Sequence, residues 1–218
     1  VLKFGGTSVG TIKKIKKVAE IIADYKKKNY MVIVVSSAMS GVTNELIKKS
    51  FEISDSFAES EHDVLVSTGE QVACSLIAGR LIHEGYESRS WLSWQVPILT
   101  KGKYKNSRIN QINKRNIIKY IKKGGIPIVT GFQGLNDENR ITTIGRGGSD
   151  ASAIMIAKFF KAERCIIYTD VEGVYTTDPN KLKKAKKIKV ISYEEMLEMA
   201  SLGAKVMQPV SIQDARLN

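Results

Sequence analysis

The sequence is poor in the residues that mark secreted, fibrous and membrane-spanning proteins. Its two cysteines, Cys74 and Cys165, each lie in an apolar stretch, where a small buried side chain is expected more often than a disulfide partner. With 17 Gly and 4 Pro among 218 residues, the chain lacks the composition of a disordered or collagen-like protein. It has no apolar run of about 18 residues and no charged-then-apolar leader. We therefore expect a globular, cytoplasmic protein that does not enter a membrane.

Positive charge is in excess, since 34 Lys and Arg stand against 22 Asp and Glu, for a formal net charge of +12. This balance suggests an anionic ligand or a nucleic acid as partner. Most of the excess is lysine in runs at 13–17, 26–28 and 181–189, with almost no aromatic residues among them and no nucleic-acid-binding signature. Such runs usually keep a helix face hydrated. We expect a solvated surface and no nucleic-acid partner, with a nucleic-acid surface as the alternative.

Short apolar runs alternate with segments of helical periodicity along the chain. Residues 1–4 precede a glycine turn and an amphipathic segment at 11–29, and the apolar run at 31–36 is typical of a strand covered on both faces. Further helices are expected at about 64–84, 110–123, 149–160, 193–202 and 204–215, and further strands near 88–92, 126–132, 141–144 and 164–170. The alternation predicts an α/β fold with a mostly parallel central sheet. No Pro-, Gly- or Ser-rich linker divides it, which favours one domain.

Two glycine-rich turns each lead into a predicted helix. KFGGTSVG at 3–10 can turn backbone N–H groups toward an anion at a helix N-terminus. Its lysine precedes the glycines, so the segment is not a Walker A motif, and a purely structural turn is the alternative. GRGGSD at 145–150 adds a cation, a hydroxyl and a carboxylate, although Ser149 or Asp150 could instead cap the next helix. Together the turns suggest a ligand with several anionic groups.

Seven segments carry a family resemblance: KFGGTSVG (3–10), SSAMSGVTNEL (36–46), STGEQV (67–72), GFQG (131–134), TTIGRGGSD (142–150), YTDVEGVYTTDP (168–179) and EMLEMASLGAKV (195–206). In this order they resemble the aspartate kinases of the amino-acid kinase family along the whole chain. The resemblance implies a three-layer αβα sandwich of the carbamate kinase type and ATP-dependent phosphorylation of the side-chain carboxylate of L-aspartate. That reaction is the first step toward lysine and diaminopimelate, threonine and methionine.

Two alternatives to this activity stay open at the level of sequence. The first is another enzyme of the same fold, such as a glutamate 5-kinase, an acetylglutamate kinase or a uridylate kinase. SSAMSGVTNEL, STGEQV and GRGGSD favour an aspartate kinase over these. The second alternative is a catalytically weak nucleotide-binding module.

The resemblance also implies roles for individual residues. Lys3 would bridge the transferring phosphate and Asp150 would orient Lys3, with no general base needed because the acceptor carboxylate is already ionised. ATP would be bound by Lys3, Phe4, Gly5, Gly6, Thr7, Ser8, Thr169, Asp170, Tyr175, Asn180, Lys205 and Val206. L-aspartate would be bound by Ser37, Thr43, Glu70, Arg146, Gly147, Gly148, Ser149 and Asp150. In this set Arg146 would hold the α-carboxylate and Glu70 the ammonium group, unless Glu70 is a first-turn acid and Thr43 an N-cap.

Magnesium is expected with ATP, held largely by phosphates and water, so no dedicated metal ligands are expected. Aspartate kinases commonly have arginine where this chain has Asn180, a change expected to weaken a nucleotide contact, and His-Pro where it has Gln208 and Pro209, a change expected to affect local packing. The resemblance implies that residues 1–218 form a catalytic domain, without the closing strand and regulatory ACT domains of the family. A homodimer is expected for the intact protein.

Overall fold

The computed structural model describes residues 1–178, 181–204 and 206–217. The elements of the described chain follow in the order β1 (Leu2–Phe4), α1 (Ile12–Lys27), β2 (Val34–Ser36), α2 (Val42–Ile53), α3 (Glu59–His83), β3 (Ser88–Trp91), β4 (Ile98–Lys101), β5 (Arg108–Ile112), α4 (Arg115–Lys122), β6 (Ile126–Thr130), β7 (Gln133–Leu135), β8 (Ile141–Thr143), α5 (Gly148–Phe160), β9 (Ile166–Tyr168), α6 (Tyr193–Ser201) and α7 (Pro209–Arg216). Helices and strands alternate through most of this order, as the sequence predicts.

A five-stranded sheet forms the centre of the fold, with strand order β3-β6-β2-β1-β9. Every pair in it is parallel, and Leu2 of β1 lies opposite Val34 of β2 on one side and Ile166 of β9 on the other. Because the strands are parallel, their carboxyl ends share one edge of the sheet. The turns that follow β1, β2, β6 and β9 therefore meet at that edge.

Helices cover both faces of this sheet. On one face Leu2 packs in a buried cluster with residues of α1 and α3, among them Ile77, which is fully buried. On the other face Val35 packs with Ile117 of α4 and Ile156 of α5. Neighbouring strand residues point to opposite faces, so β2 and β6 are apolar on both faces, whereas β1 has Leu2 and Phe4 on one face and Lys3 on the other. The three-layer αβα sandwich with a mostly parallel central sheet is confirmed.

A second sheet of four strands, in the order β5-β4-β7-β8, was not predicted apart from its strand β8. Within it β4 and β7 are parallel, whereas β4–β5 and β7–β8 are antiparallel. The helix predicted over 110–123 is wrong at its start, because Arg108–Ile112 forms β5 and pairs with β4. Strand β8 ends at Thr143, immediately before the glycine turn at 145–147. The second sheet thus holds one wall of the site described below.

Helix boundaries agree with the sequence where capping residues mark them. Thr11 caps α1, since its hydroxyl oxygen accepts a hydrogen bond from the N–H of Lys14, and Asn29 follows the helix with φ +62°. Helix α2 was not predicted, and α3 begins at Glu59 rather than near residue 64. The last helix begins at Pro209 rather than near residue 204, because proline is well suited to a first helical position.

The structure also bears on the cysteines, on the lysine run of α1 and on membrane-spanning helices. Both cysteines are free thiols, and Cys74 is completely buried. The lysines at 13, 14, 16 and 17 lie on the exposed side of α1, as expected for a hydrated helix face. Among the described residues, no helix combines the length and the apolar character that crossing a bilayer requires.

Candidate active site

A pocket of about 590 Å³ opens at the carboxyl edge of the central sheet. Its walls come from the turn after β1, the segment after β2 with the start of α2, the middle of α3, and the turn between β8 and α5. All eight residues predicted to bind aspartate line it: Ser37, Thr43, Glu70, Arg146, Gly147, Gly148, Ser149 and Asp150. Lys3 and Gly6 line it as well. The fold therefore gathers these four segments, together with Lys105 and Phe132, into one concavity of the size that small-molecule ligands occupy.

An ion pair between Lys3 and Asp150 lies in the pocket wall. Lys3 Nζ is 2.6 Å from Asp150 Oδ1, and the two side chains are 9% and 15% exposed. Lys3 alternates with Leu2 and Phe4, whose side chains enter the core, so its own side chain points to the other face of β1. Asp150 belongs to the first turn of α5, where a carboxylate is favoured by the helix dipole. One cation is thus held beside the glycine turn in a fixed position.

The turn after β1 owes its shape to contacts with neighbouring strands. The N–H of Gly5 donates to the carbonyl of Tyr168, which extends the β1–β9 ladder by one residue. A Cβ on Gly6 would lie 2.9 Å from the carbonyl oxygen of Ala38, so only glycine lets the two turns pack this closely. The Phe4 ring is fully buried and stacks on Tyr168 at 4.7 Å between centroids. Any contact of Phe4 with a ligand would therefore use its backbone.

Glu70 is a buried carboxyl group in the middle of α3. It is 3% exposed, its Oε1 accepts a hydrogen bond of 3.0 Å from the N–H of Ala38, and its Oε2 has no partner among the described residues. Burial raises the pKa of Glu70 to about 8, although the Ala38 N–H favours the charged form. The alternative that Glu70 is a first-turn acid is wrong, because α3 begins at Glu59, about three turns earlier. An unpaired oxygen in a pocket wall is suited to bind a cationic ligand group.

The turn between β8 and α5 presents Arg146 on its exposed side. Gly145 and Gly147 flank it with φ values of +81° and +73°, a region that favours glycine. Gly147 is the N-cap of α5, so neither Ser149 nor Asp150 caps this helix. Similarly, α2 begins after Gly41 without a side-chain cap, which excludes the N-cap role considered for Thr43. Arg146, Ser149 and Thr43 are thereby left to face a ligand.

Several predicted nucleotide-binding residues lie beside the pocket rather than in its wall. Thr169 and Asp170 follow β9 at the same sheet edge, both exposed, with the Thr169 hydroxyl 3.1 Å from Asp170 Oδ1. Tyr175 donates to Glu172 Oε2 at 3.0 Å. Thr7, Ser8 and Val206 are also absent from the lining. Asn180 and Lys205 lie outside the described residues.

Other residues line the pocket without having been predicted, among them Asn44 and Ile47 of α2, His62, Lys105, Phe132 and Thr143. The signal for α2 is weak, since its single buried residue is Ser50. Lys105 lies in a lysine-rich stretch that resembles ordinary surface. Asn44, Phe132 and Thr143 had a usable signal, because they lie in segments that carry the family resemblance. His62 had one as well, because it is one of two histidines and lies eight positions before Glu70 on the same helix.

Gln208 lies closer to the site than its place in the sequence suggested. A Cβ on Gly147 would come within 2.6 Å of Gln208 Cγ, and Ser211 donates from its hydroxyl to the carbonyl of Gly147 at 3.4 Å. The start of α7 therefore packs directly against the turn that carries Arg146. A change at Gln208 would act on this turn as well as on local packing.

Known proteins match the chain over nearly its full length. An aspartokinase of Rickettsia felis is 49% identical over 98% of this chain, and aspartokinase 2 of Bacillus subtilis is 46% identical over 99% of it. These matches cover 54% and 53% of the two relatives, so the chain spans about half their length.

Solved structures agree with these relatives. The aspartate kinase from Synechocystis has a TM-score of 0.87 at 40% identity, with 99% of this chain and 36% of that one covered. E. coli aspartokinase III, in complex with aspartate and ADP, has a TM-score of 0.86 at 26% identity, with 99% of this chain and 59% of that one covered. A carbamate kinase from Giardia lamblia shares the fold at 14% identity, with a TM-score of 0.71, over 99% of this chain and 87% of its own.

The fold and the arrangement of the pocket agree with one family assignment. The sequence model of the amino acid kinase family matches residues 1–216, which is nearly all of the chain. The central parallel sheet, the glycine turns at its carboxyl edge and the ion pair between them lie within that match. The chain therefore belongs to the amino acid kinase family.

Proposed function

We propose that residues 1–218 form the catalytic domain of an aspartate kinase, which transfers the γ-phosphoryl group of ATP to the side-chain carboxylate of L-aspartate. The observation that carries the proposal is that one pocket is lined by the Lys3–Asp150 pair, the exposed side chain of Arg146 and an oxygen of Glu70 that has no partner among the described residues. Lys3 and Arg146 match a phosphate and a carboxylate in charge, and Glu70 matches an ammonium once binding has favoured its ionised form. Similarity to aspartokinases over almost the entire chain supports the same activity.

Recognition of the amino acid rests on Glu70 and Arg146. The ammonium group of aspartate would bind Oε2 of Glu70, which has no other partner among the described residues. The α-carboxylate would bind the planar guanidinium of Arg146, whose geometry permits two parallel hydrogen bonds. Ser37, Thr43, Gly147, Gly148 and Ser149 would complete this half of the pocket. With both α-substituents held, the side-chain carboxylate is the part of the substrate left to react.

Phosphoryl transfer requires positioning and charge neutralisation more than proton transfer. The reaction forms a bond between phosphorus and a side-chain carboxylate oxygen, and it breaks the bond to the β,γ-bridging oxygen, which leaves with ADP. Lys3 would neutralise charge on the transferring group, and Asp150 would hold the ammonium of Lys3 in place through their 2.6 Å contact. No general base is needed, because a carboxylate acceptor is ionised at neutral pH.

The nucleotide would extend from the pocket toward β9. The glycine turn of Phe4, Gly5, Gly6, Thr7 and Ser8 lies between β1 and α1, where a helix N-terminus favours phosphate. Thr169, Asp170 and Tyr175 follow the neighbouring strand β9 and are proposed to lie near the base and ribose, with Asn180, Lys205 and Val206.

Magnesium would accompany ATP, and we expect phosphate oxygens and water to hold most of its coordination shell. Among them there is no group of three or more His, Cys, Asp or Glu side chains placed to hold a metal ion. Such a site fits an ion carried mainly by phosphate oxygens and water, with Asp150 as the nearby carboxylate that could complete its shell. Bound there, magnesium would supply charge stabilisation on the phosphate oxygens.

The pathway, the oligomeric state and the cellular location of the intact protein are proposed from the same similarity. The product, 4-phospho-L-aspartate, would be the first intermediate toward lysine and diaminopimelate, threonine and methionine. We also propose that the intact protein is a cytoplasmic homodimer. Two unpaired thiols support a reducing compartment.

An assay for acyl phosphate tests the proposal directly. The full-length protein is incubated with ATP, Mg²⁺ and hydroxylamine, which converts an acyl phosphate into a hydroxamate that forms a coloured complex with ferric ion. L-aspartate is compared with L-glutamate. Turnover with aspartate that is lost in Lys3→Met would support the assignment. Turnover with glutamate alone would mean that the substrate is glutamate and not aspartate. ATP binding without turnover of either amino acid would favour a nucleotide-binding module.

A further inference from the structure

Asp63 is a fully buried carboxylate that the proposed reaction does not use. It lies on α3, one position after the pocket residue His62, and is 0% exposed. Its Oδ2 accepts hydrogen bonds from the N–H of Lys105 at 2.9 Å and the N–H of Thr143 at 2.8 Å. Its Oδ1 accepts from the hydroxyl of Thr143 at 2.9 Å and lies 3.4 Å from His62 Nδ1. One carboxylate thus joins three separate segments of the chain.

Two of those segments support the turn that carries Arg146. Thr143 is the last residue of β8, three positions before Arg146, and its carbonyl accepts from the N–H of Ser107 at 2.9 Å. A Cβ on Gly145 would lie 3.0 Å from the carbonyl oxygen of Lys105, so the turn rests directly on the Lys105 segment. Lys105 itself has φ +62°, an unfavourable conformation for a residue with a side chain. The hydrogen bond from its N–H to Asp63 helps to maintain that conformation.

The third segment is the helix that carries Glu70. Asp63 and Glu70 are seven residues apart, which is close to two full turns, so they lie on the same side of α3. Both are at least 97% buried, and Glu70 is tied to the segment after β2 through Ala38. The backbone of α3 is therefore a short rigid link between Glu70 and the contacts that fix the Arg146 turn.

We propose that Asp63 is a positioning residue that sets the separation between Arg146 and Glu70. It thereby determines how well the pocket holds both the α-carboxylate and the ammonium of its amino acid substrate. This inference rests on the function proposed above, since it assumes that Arg146 and Glu70 bind the amino acid. Asp63 itself has no contact with the substrate in this proposal. Arg146 is exposed and flanked by glycines of positive φ, so the anchor at Thr143 is what ties the turn to α3.

A purely structural role for Asp63 predicts a different outcome. If the carboxylate only stabilised the fold, its loss would lower Tm and affect both substrates alike. If it positions Arg146 relative to Glu70, its loss would weaken aspartate binding selectively, because Lys3 and the glycine turn after β1 have no contact with Asp63 among the described hydrogen bonds. The KM values for the two substrates separate these roles.

The test compares Asp63→Asn and Thr143→Val with the wild type in the full-length protein. An asparagine side chain has the size of aspartate but lacks the charge that strengthens the bonds, while valine removes only the hydroxyl donor. We expect Asp63→Asn to raise KM for aspartate about tenfold to a hundredfold, the range expected when a hydrogen bond to a charged substrate group is weakened or lost. KM for ATP should change less than about twofold. Thr143→Val should shift KM for aspartate in the same direction by less.

Ile77→Val serves as the control, because it removes a buried methyl group from the same helix without touching these hydrogen bonds. It should lower Tm and leave the ratio of the two KM values unchanged. Hydrogen exchange of residues 143–149 should accelerate in Asp63→Asn and not in Ile77→Val. Equal changes in both KM values, or none while Tm falls, would overturn the inference. A wild type without aspartate turnover would overturn the proposed function, and this role of Asp63 with it.

Discussion

Replacement of Glu70 by glutamine removes a carboxyl group whose ionisation the fold opposes. Burial raises the pKa of Glu70 to about 8, from 4.5 in the unfolded chain. The protonated carboxyl therefore stabilises the folded state fully below about pH 4.5, and this contribution is lost as the pH rises toward and through 8. Over that interval the free energy of unfolding falls by about 1.36 kcal/mol per pH unit, or about 3–5 °C in Tm for a chain of this size.

Glutamine keeps the acceptor for the N–H of Ala38 but cannot ionise. Thermal unfolding of Glu70→Gln should therefore lack this pH dependence, and the difference in Tm between variant and wild type should widen steadily from pH 5 to pH 8. The wild type at pH 5 serves as the reference, because there both proteins have an uncharged side chain at position 70. A Tm difference that stays constant over this range would refute the pKa assigned to Glu70.

Substrate binding should reverse the protonation of Glu70. With a pKa of about 8, roughly nine-tenths of the Glu70 carboxyls carry a proton at pH 7 and about half do at pH 8. An ammonium group at Oε2 favours the carboxylate, so binding of aspartate should release about 0.9 proton at pH 7 and about 0.5 at pH 8. Calorimetry in buffers of different ionisation enthalpy measures this number. Binding without proton release, or the same release from Glu70→Gln, would contradict the role of Glu70.

Three further predictions concern other parts of the molecule. Lys3→Met should lower kcat by about a hundredfold to a thousandfold in steady-state assays, with bound ATP still detectable by calorimetry, and an unchanged kcat would exclude Lys3 from phosphate stabilisation. Gly147→Ala should lower Tm by several degrees in thermal unfolding, because an L-residue at φ +73° costs about 1–2 kcal/mol and its Cβ would clash with Gln208; a Tm equal to that of the wild type would contradict the packing of α7 on this turn. Burial raises the pKa of the Cys74 thiol, so Cys74 should resist a thiol reagent at pH 8 in the folded protein and react after denaturation.

The central sheet and its edge could be predicted because their signals are local. The apolar strands flanking α1 and the glycines after β1 and before α5 specify strand, turn and helix within a few residues of sequence. Parallel pairing then brings the turns to one edge, which is why Lys3 and Asp150 meet although 147 positions separate them. The αβα layering follows from strands that are apolar on both faces.

The second sheet could not be predicted because its pairings are long-range and its strands are short and polar. In β5 the apolar residues Ile109 and Ile112 are three apart, and with Ile117 they continue as a helical pattern. The pairing with β4 overrides that pattern. Burial of Asp63 was equally hidden, since its partners Lys105 and Thr143 are 42 and 80 positions away. A polar residue on a helix gives no sign in the sequence of hydrogen-bond donors so far away along the chain.

The position of the new phosphate on the product distinguishes the proposed binding mode from its reverse. In the proposed mode the α-carboxylate binds Arg146 and the ammonium binds Glu70, which leaves the side-chain carboxylate to face Lys3. The full-length protein is given ATP, Mg²⁺ and L-aspartate, the acyl phosphate is trapped with hydroxylamine, and the two isomeric hydroxamates are separated and identified by mass spectrometry. We expect the β-hydroxamate together with one ADP per molecule formed. The α-hydroxamate, or ADP formation without any hydroxamate, would refute the proposed binding mode.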